Sequence, residues 1–189
     1  MVDAIVEATA RILETRGLGG FNTNAVAERA GVSVGSLYQY FPSKEALVAA
    51  LSVRERGLLA ADVAAAAGAT TGLSLEDAMR RLARAAIRRQ LARPMLSRIL
   101  DFEEQRLVLE DGDRATTGDM ARHVAALLRT HRATLAVTDL NEAAFDVIAI
   151  ARTLIDGSCG RGPVDADALE RRVVRAALGY LTNRANVGP

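Results

Sequence analysis

The 189-residue chain reads as all-α, with about nine helices divided between an N-terminal three-helix unit (residues 1–50) and a C-terminal helical domain (residues 51–189). Three observations carry that reading. Apolar residues recur at spacings of three and four, while Val and Ile come singly inside those patterns and not in the alternating runs of strands. About a fifth of the residues are Ala, the strongest helix former. Gly, Pro, Asn, Asp and Ser punctuate the periodic stretches where helices would cap and stop.

Val2, Ile5, Val6, Thr9, Ile12 and Leu13 share one stripe, so a first amphipathic helix reaches Arg16 and stops at Gly17. Gly17, Gly19 and Gly20 make a tight loop; no strand precedes it, so a turn fits better than a phosphate cradle. Asn22 caps a short second helix, Thr23 to Ala30, with Val26, Ala27 and Ala30 inward, and Gly31 stops it. Ser33 caps a third helix through Tyr40; Pro42 breaks it and Ser43 starts a fourth. Leu47, Leu51, Leu58 and Leu59 carry that fourth helix into an Ala-rich stretch ending near Gly68. Ser74 with Asp77 resembles a capping box opening a fifth helix toward Ala92. Pro94 occupies the first turn of a sixth, which carries Leu96, Ile99, Leu100 and Leu107. The polar stretch Glu110 to Asp119 reads as a loop or weak helix start. A seventh helix is expected from about Met120 to Val137, an eighth from Asn141 to about Ser158 and a ninth from Asp165 to about Asn183. The short link Gly160 to Pro163 makes the last two antiparallel neighbours.

Composition excludes several classes of protein. A chain half apolar by count is not a disordered tail, and one Cys makes no disulfide scaffold. With 24 basic against 23 acidic residues, the formal charge of +1 supplies no basic field for nucleic acid or membrane. No apolar run reaches the ~20 residues of a membrane span, and Asp3 and Glu7 stand where a signal peptide would be basic. A soluble cytoplasmic protein with no membrane partner is expected.

The segment Ala30-Gly31-Val32-Ser33 joins the second and third helices by a few residues containing Gly, the helix-turn-helix arrangement. Ala27, four residues before Gly31, lets the helices cross closely, and Val26, Val32 and Leu37 supply apolar contacts. Two of three Tyr and one of four Phe then fall within Tyr38 to Phe41. If Leu37 and Phe41 point inward, Tyr38 and Tyr40 lie off that face, where hydroxyls can meet phosphate oxygens.

Residues 23–47, TNAVAERAGVSVGSLYQYFPSKEAL, resemble the signature of the TetR family of transcriptional regulators, and the resemblance extends over about residues 4–51. It implies a helix-turn-helix DNA-binding domain followed by a helical ligand-binding and dimerisation domain. The third helix would enter the major groove, with Val34, Gly35, Ser36 and Gln39 at base edges; Val34 stands where a polar or basic residue is common and suits a thymine methyl. Thr23, Tyr38, Tyr40 and Lys44 match positions that grip phosphates, and Asn24 is a further candidate for a base or backbone contact. Residues 1–50 carry Arg11, Arg16, Arg29 and Lys44 against Asp3, Glu7, Glu14, Glu28 and Glu45, a net of −1, and the chain begins almost at the first helix. Family members usually carry a polar, often basic arm before this helix, and contacts from such an arm are left open.

The resemblance further implies a homodimer that reads a pseudo-palindromic double-stranded operator and releases it when a small hydrophobic effector binds. An activator, or a repressor that needs a co-repressor, would use the same fold. Broad faces on the last two helices propose the dimer contact: Phe145, Ile148, Ala149, Arg152 and Ile155 with Leu169, Val173, Ala176, Ala177 and Tyr180. Met79, Leu82, Met95, Phe102, Met120, His123 and Leu127 are candidates for the effector pocket, since Met and aromatic side chains suit varied apolar ligands. No cofactor, metal or catalytic residue is expected. Cys159 reads as an inert helix-end residue apart from His123 and His131, and Asp101, Glu103, Glu104 and Glu110 read as a solvated face more readily than a cation site. A helical enzyme built on those groups lacks any recognisable spacing of ligands or triad.

Overall fold

The structure, a computed structural model, describes residues 1–106 and 112–183. Among the described residues it holds nine α-helices and no strand: α1 (Val2–Gly20), α2 (Thr23–Ala30), α3 (Val34–Tyr40), α4 (Lys44–Gly68), α5 (Leu75–Ala92), α6 (Pro94–Arg106), α7 (Gly112–Thr130), α8 (Leu140–Cys159) and α9 (Ala166–Thr182). The caps read from sequence are made. Asn22 accepts from the Ala25 amide at 2.8 Å, Ser33 from Ser36 at 3.0 Å, Ser43 from Ala46 at 3.2 Å and Ser74 from Asp77 at 3.1 Å.

Three boundaries differ from the sequence reading. Helical structure resumes after Gly17, whose φ of 62° and ψ of −173° interrupt α1 where it was expected to stop. α7 starts at Gly112, inside the stretch read as a loop or weak helix start and ahead of the Met120 start expected for the helix, and ends at Thr130, well before Val137. A 3-10 turn at Arg132–Thr134 follows, and Leu135 is buried while the Ala136 amide donates to the Leu181 carbonyl at 2.8 Å; pairing with the end of α9 replaces further helix. Leu107 and Glu110 fall outside the described residues.

The chain forms two compact units. The first gathers α1, α2, α3, α4 as far as Gly57, and α6 with Arg93 before it. Its core joins Ile5, Leu13, Val26, Leu37, Leu47 and Leu51 with Leu96, Ile99 and Leu100. α6 therefore packs with the N-terminal helices in this unit. Its apolar stripe is spent on α1, whose buried set Ile5, Val6, Ala8, Thr9, Ala10, Ile12 and Leu13 is broad enough to serve two neighbours. Arg93, just before α6, fixes this packing electrostatically. Its guanidinium reaches Glu14 at 2.5 Å and Glu7 at 3.2 Å on α1, and Glu55 at 3.5 Å on α4.

The second unit takes α4 from Leu58, with α5, α7, α8 and α9. Its core holds Met79, Leu82, Val124, Leu128, Val147, Leu169, Val173 and Leu181. α9 packs on both α5 and α8. The buried Glu170 of α9 accepts from Arg84 at 2.5 Å and lies 3.3 Å from Arg80, so a carboxylate removed from water retains two cationic partners on α5.

Candidate nucleic-acid interface

The α2–α3 corner depends on one glycine. Gly31 sits at φ 69°, ψ 32°, a left-handed conformation that a Cβ disfavours, and the chain reverses there. The Gly31 amide donates to the Glu28 carbonyl and the Val32 amide to the Ala27 carbonyl at 3.0 Å, which closes α2 and aims α3. Only Leu37 of α3 is buried, and Phe41 follows it into the core. Everything else on this short helix is available: Val34, Gly35, Tyr38, Gln39 and Tyr40 are exposed and Ser36 is half-buried. Tyr38 and Tyr40 keep 47% and 48% of their surface in water, a costly placement for aromatic side chains in a protein with so few.

Four side chains expected to meet DNA, Thr23, Tyr38, Ser36 and Lys44, already have partners within the chain. The Thr23 residue is buried and its hydroxyl lies 3.2 Å from the Tyr38 hydroxyl, so it does not itself face outward. The Ser36 and Ser33 hydroxyls are 2.8 Å apart. Lys44 donates from Nζ to the Phe21 carbonyl at 3.1 Å and sits 5.9 Å from the Phe21 ring centroid. An ammonium has three donors, so Lys44 retains hydrogen-bonding capacity toward an anion while tied to the α1–α2 corner. Asn24 is exposed on α2. Phe21 escaped the sequence reading: its carbonyl and ring position the chain's one lysine, and only its place between the glycine loop and Asn22 hinted at such a role.

The proposed dimer residues divide by burial. Ile155, Leu169, Val173 and Ala177 are committed to the second unit's own core. Phe145, Ala149 and Arg152 are exposed, and Ile148, Ala176 and Tyr180 are half-buried, so α8 and α9 still present a mixed face. Tyr180 donates its hydroxyl to the Asp146 carboxylate, and that hydrogen bond, with burial, pushes the phenol up to about 12. The proposed effector residues do not gather in one unit. Met79, Leu82 and Leu127 are buried in the second unit, with Met120 half-buried and His123 exposed, whereas Met95 and Phe102 are exposed on α6 of the first. A cleft of about 220 Å³ in the second unit lies elsewhere, lined by Ser158, Arg161, Val164, Ala168 and Arg172 among others.

Among the described residues no group of three His, Cys, Asp or Glu is arranged to hold a metal ion, and no helix is long and apolar enough to cross a membrane. Glu103 is buried and Cys159 is buried, while Glu110 lies outside the described residues.

A capped helix pair crossing at a left-handed glycine, with the second helix buried at only one residue, defines a helix-turn-helix module. The comparisons agree. Residues 5–51 match the model of the bacterial regulatory proteins of the tetR family, and residues 74–181 match the tetracyclin repressor-like C-terminal domain. The chain belongs to the TetR family of transcriptional regulators. It is 38% identical over 102 residues to the HTH-type transcriptional repressor KstR of Mycolicibacterium smegmatis, covering 53% of this chain and 50% of that protein. The chain thus spans about half the length of the curated relatives it matches. Among solved structures it is similar to the fatty acid degradation regulator FadR of Bacillus halodurans, with TM-score 0.72, 18% identity and coverage of 95% and 98% of the two chains. It is also similar to the flavonoid-responsive regulator FrrA, with TM-score 0.60, 27% identity and coverage of 97% and 98%.

Proposed function

We propose that the protein is a homodimeric cytoplasmic repressor that holds a pseudo-palindromic operator and releases it to a small apolar effector. The observation that carries this reading is α3, whose exposed surface is Val34, Gly35, Tyr38, Gln39 and Tyr40. The family membership and the repressor KstR among the relatives support it. In this reading Val34, Gly35, Ser36 and Gln39 meet base edges, while Tyr38, Tyr40 and Lys44 hold phosphates and Asn24 adds a neighbouring contact. Release is a population shift: an effector displaces DNA only as far as it prefers the state that cannot bind it. The flavonoid-responsive relative supports an apolar effector, and Met79, Leu82, Met120, His123 and Leu127 of the second unit are the residues to test by substitution.

Selection of duplexes from a random pool by the purified protein, followed by fluorescence anisotropy, tests the reading. A sequence-specific, salt-sensitive complex supports it; no enrichment of any sequence overturns it. Lys44→Ala is expected to weaken selected and random duplexes alike and to reduce the salt slope by about one per bound copy. Gln39→Ala is expected to cost about 1–3 kcal/mol on the selected sequence alone and to relax it at particular base pairs. Equal losses on both duplexes for both variants would contradict the assignment.

The dimer reading rests on the α8–α9 face. Phe145 keeps 46% of its surface exposed, and Ala149 beside it allows close approach of a second copy. Phe145→Lys is expected to shift sedimentation equilibrium toward monomer and leave the thermal midpoint of the monomer nearly unchanged, since the side chain contributes little to the chain's own core. A dimer of undiminished affinity would move the interface elsewhere.

A further inference from the structure

We infer that Thr23 is a positioning residue: its buried hydroxyl orients the Tyr38 hydroxyl to donate to a DNA phosphate, and it makes no phosphate contact of its own. The inference rests on the DNA-binding reading above and assigns Thr23 a different part in it.

Thr23 is the first residue of α2, directly after the Asn22 cap, and keeps only 8% of its surface exposed. Fifteen residues later, Tyr38 leaves 47% of its surface in water while its hydroxyl stays 3.2 Å from the Thr23 Oγ1. Each hydroxyl has one proton to donate and can accept as well, so the pair alone leaves the direction open. A phosphate oxygen fixes it. At neutral pH a phosphodiester only accepts, so when Tyr38 donates outward its oxygen is left to accept from Thr23. Thr23 O–H to Tyr38 O, then Tyr38 O–H to phosphate, uses both protons and leaves no buried donor unpaired. The inner bond also strengthens the outer one, because a hydroxyl that accepts becomes a better donor. Without Thr23, Tyr38 would have free rotation of its hydroxyl and a wider choice of ring positions on an exposed helix, and binding would bear that ordering cost.

Two neighbours give the same corner rigidity. Asn22 accepts from the Ala25 amide and donates from Nδ2 to the Gly20 carbonyl at 3.3 Å, fixing the entry to α2. Lys44 is anchored on the Phe21 carbonyl. Residues 20–23 therefore orient one side chain from α3 and one from α4, although these elements are distant in sequence.

The test is a double-mutant cycle in the full chain, measured by anisotropy on a selected duplex and on an unrelated one. Thr23→Val keeps the shape of the buried side chain and deletes the hydroxyl; it is expected to weaken binding to both duplexes by about fivefold per bound copy. Thr23→Ser, which restores the hydroxyl, is expected to return affinity to within about twofold of the parent. Tyr38→Phe should cost at least as much as Thr23→Val. In the Tyr38→Phe background, Thr23→Val should then cost less than about twofold, because Thr23 has nothing left to position. A full fivefold loss in that background would overturn the inference and make Thr23 an independent contact or a structural residue. If Thr23→Val unfolds the protein, Thr23→Ala takes its place in the cycle with the same expectations. Failure of the parent protein to bind any duplex would instead overturn the DNA-binding reading itself.

Discussion

Leu37→Ala is expected to lower the unfolding free energy by about 3 kcal/mol and to abolish measurable operator binding. Leu37 is fully buried and is the one residue by which the seven-residue α3 enters the core. A helix of two turns has no stability of its own, because nucleation costs more than so few hydrogen bonds return. Its shape is held by the Ser33 cap, the Gly31 reversal, and the seating of Leu37 with Phe41 among Val26, Ala27 and Leu47. Truncation leaves a cavity where these elements meet, and a short helix is freer to fray than to collapse into it. The loss of binding should therefore exceed what the global stability change implies. Urea unfolding and anisotropy on the same samples separate the two. Leu37→Met, which conserves volume, should cost less than about 1.5 kcal/mol and retain binding. Binding that survives Leu37→Ala would mean that α3 is not the element that meets DNA.

The parts of this fold that were legible in the sequence are those set by neighbours within a few residues. Asn22, Ser33, Ser43 and Ser74 each accept from an amide three residues on, a geometry that sequence spacing alone specifies. Exposure of Tyr38 and Tyr40 followed from the same logic, since a helix that buries Leu37 and continues to Phe41 has no inward place for them. What spacing could not disclose was choice of partner. The stripe Leu96, Ile99 and Leu100 is amphipathic wherever it packs, and nothing in its period says that α1 is its neighbour. The direction of a hydroxyl is equally hidden: Thr23 and Tyr38 are fifteen residues apart, and only the crossing of α2 and α3 turns one onto the other. The premature end of α7 was hidden because the competitor is distant, the carbonyl of Leu181 on α9. Near-neutral charge, which offered no support for a DNA partner, is consistent with one once the placement is known. The single lysine is at the α4 N-terminus beside the helix-turn-helix, so a few positioned groups stand in for a basic field.

The same reasoning about distant partners predicts the second large effect, at Arg93. Arg93→Met is expected to destabilise the protein by about 2 kcal/mol at pH 7. The guanidinium binds Glu14 and Glu7 of α1 and Glu55 of α4, and only 22% of its side chain is exposed. Arg54, 3.0 Å from Glu7 and 2.8 Å from Glu55, and Arg11, 2.8 Å from Glu7, join the same cluster of arginines and glutamates. Removing one cation leaves Glu14 and Glu55, both largely shielded from water, with less compensation than their burial demands. The cost stays below that of a fully buried pair, roughly 3–5 kcal/mol, because solvent still reaches the group. Arg93→Lys should recover only part of the loss, since an ammonium cannot bridge Glu7 and Glu14 with a planar fork. Acid supplies the decisive comparison. Burial pulls the Glu7 carboxyl upward, but Arg93, with Arg54 and Arg11, outweighs it and holds Glu7 below the usual carboxylate range. The Glu14 hydrogen bond, outweighing burial, and the nearby Glu7 charge hold Arg93 protonated well above its ordinary range. A lowered carboxylate pKa stabilises the folded state above the ordinary value and loses that contribution as pH falls through the lowered one. The difference in stability between parent and Arg93→Met should accordingly be largest near pH 7 and shrink below about pH 4 as the glutamates are protonated in both. Urea unfolding at pH 7 and at pH 3.5 measures it; a difference of the same size at both would mean that Arg93 acts by packing its aliphatic stem and not by charge.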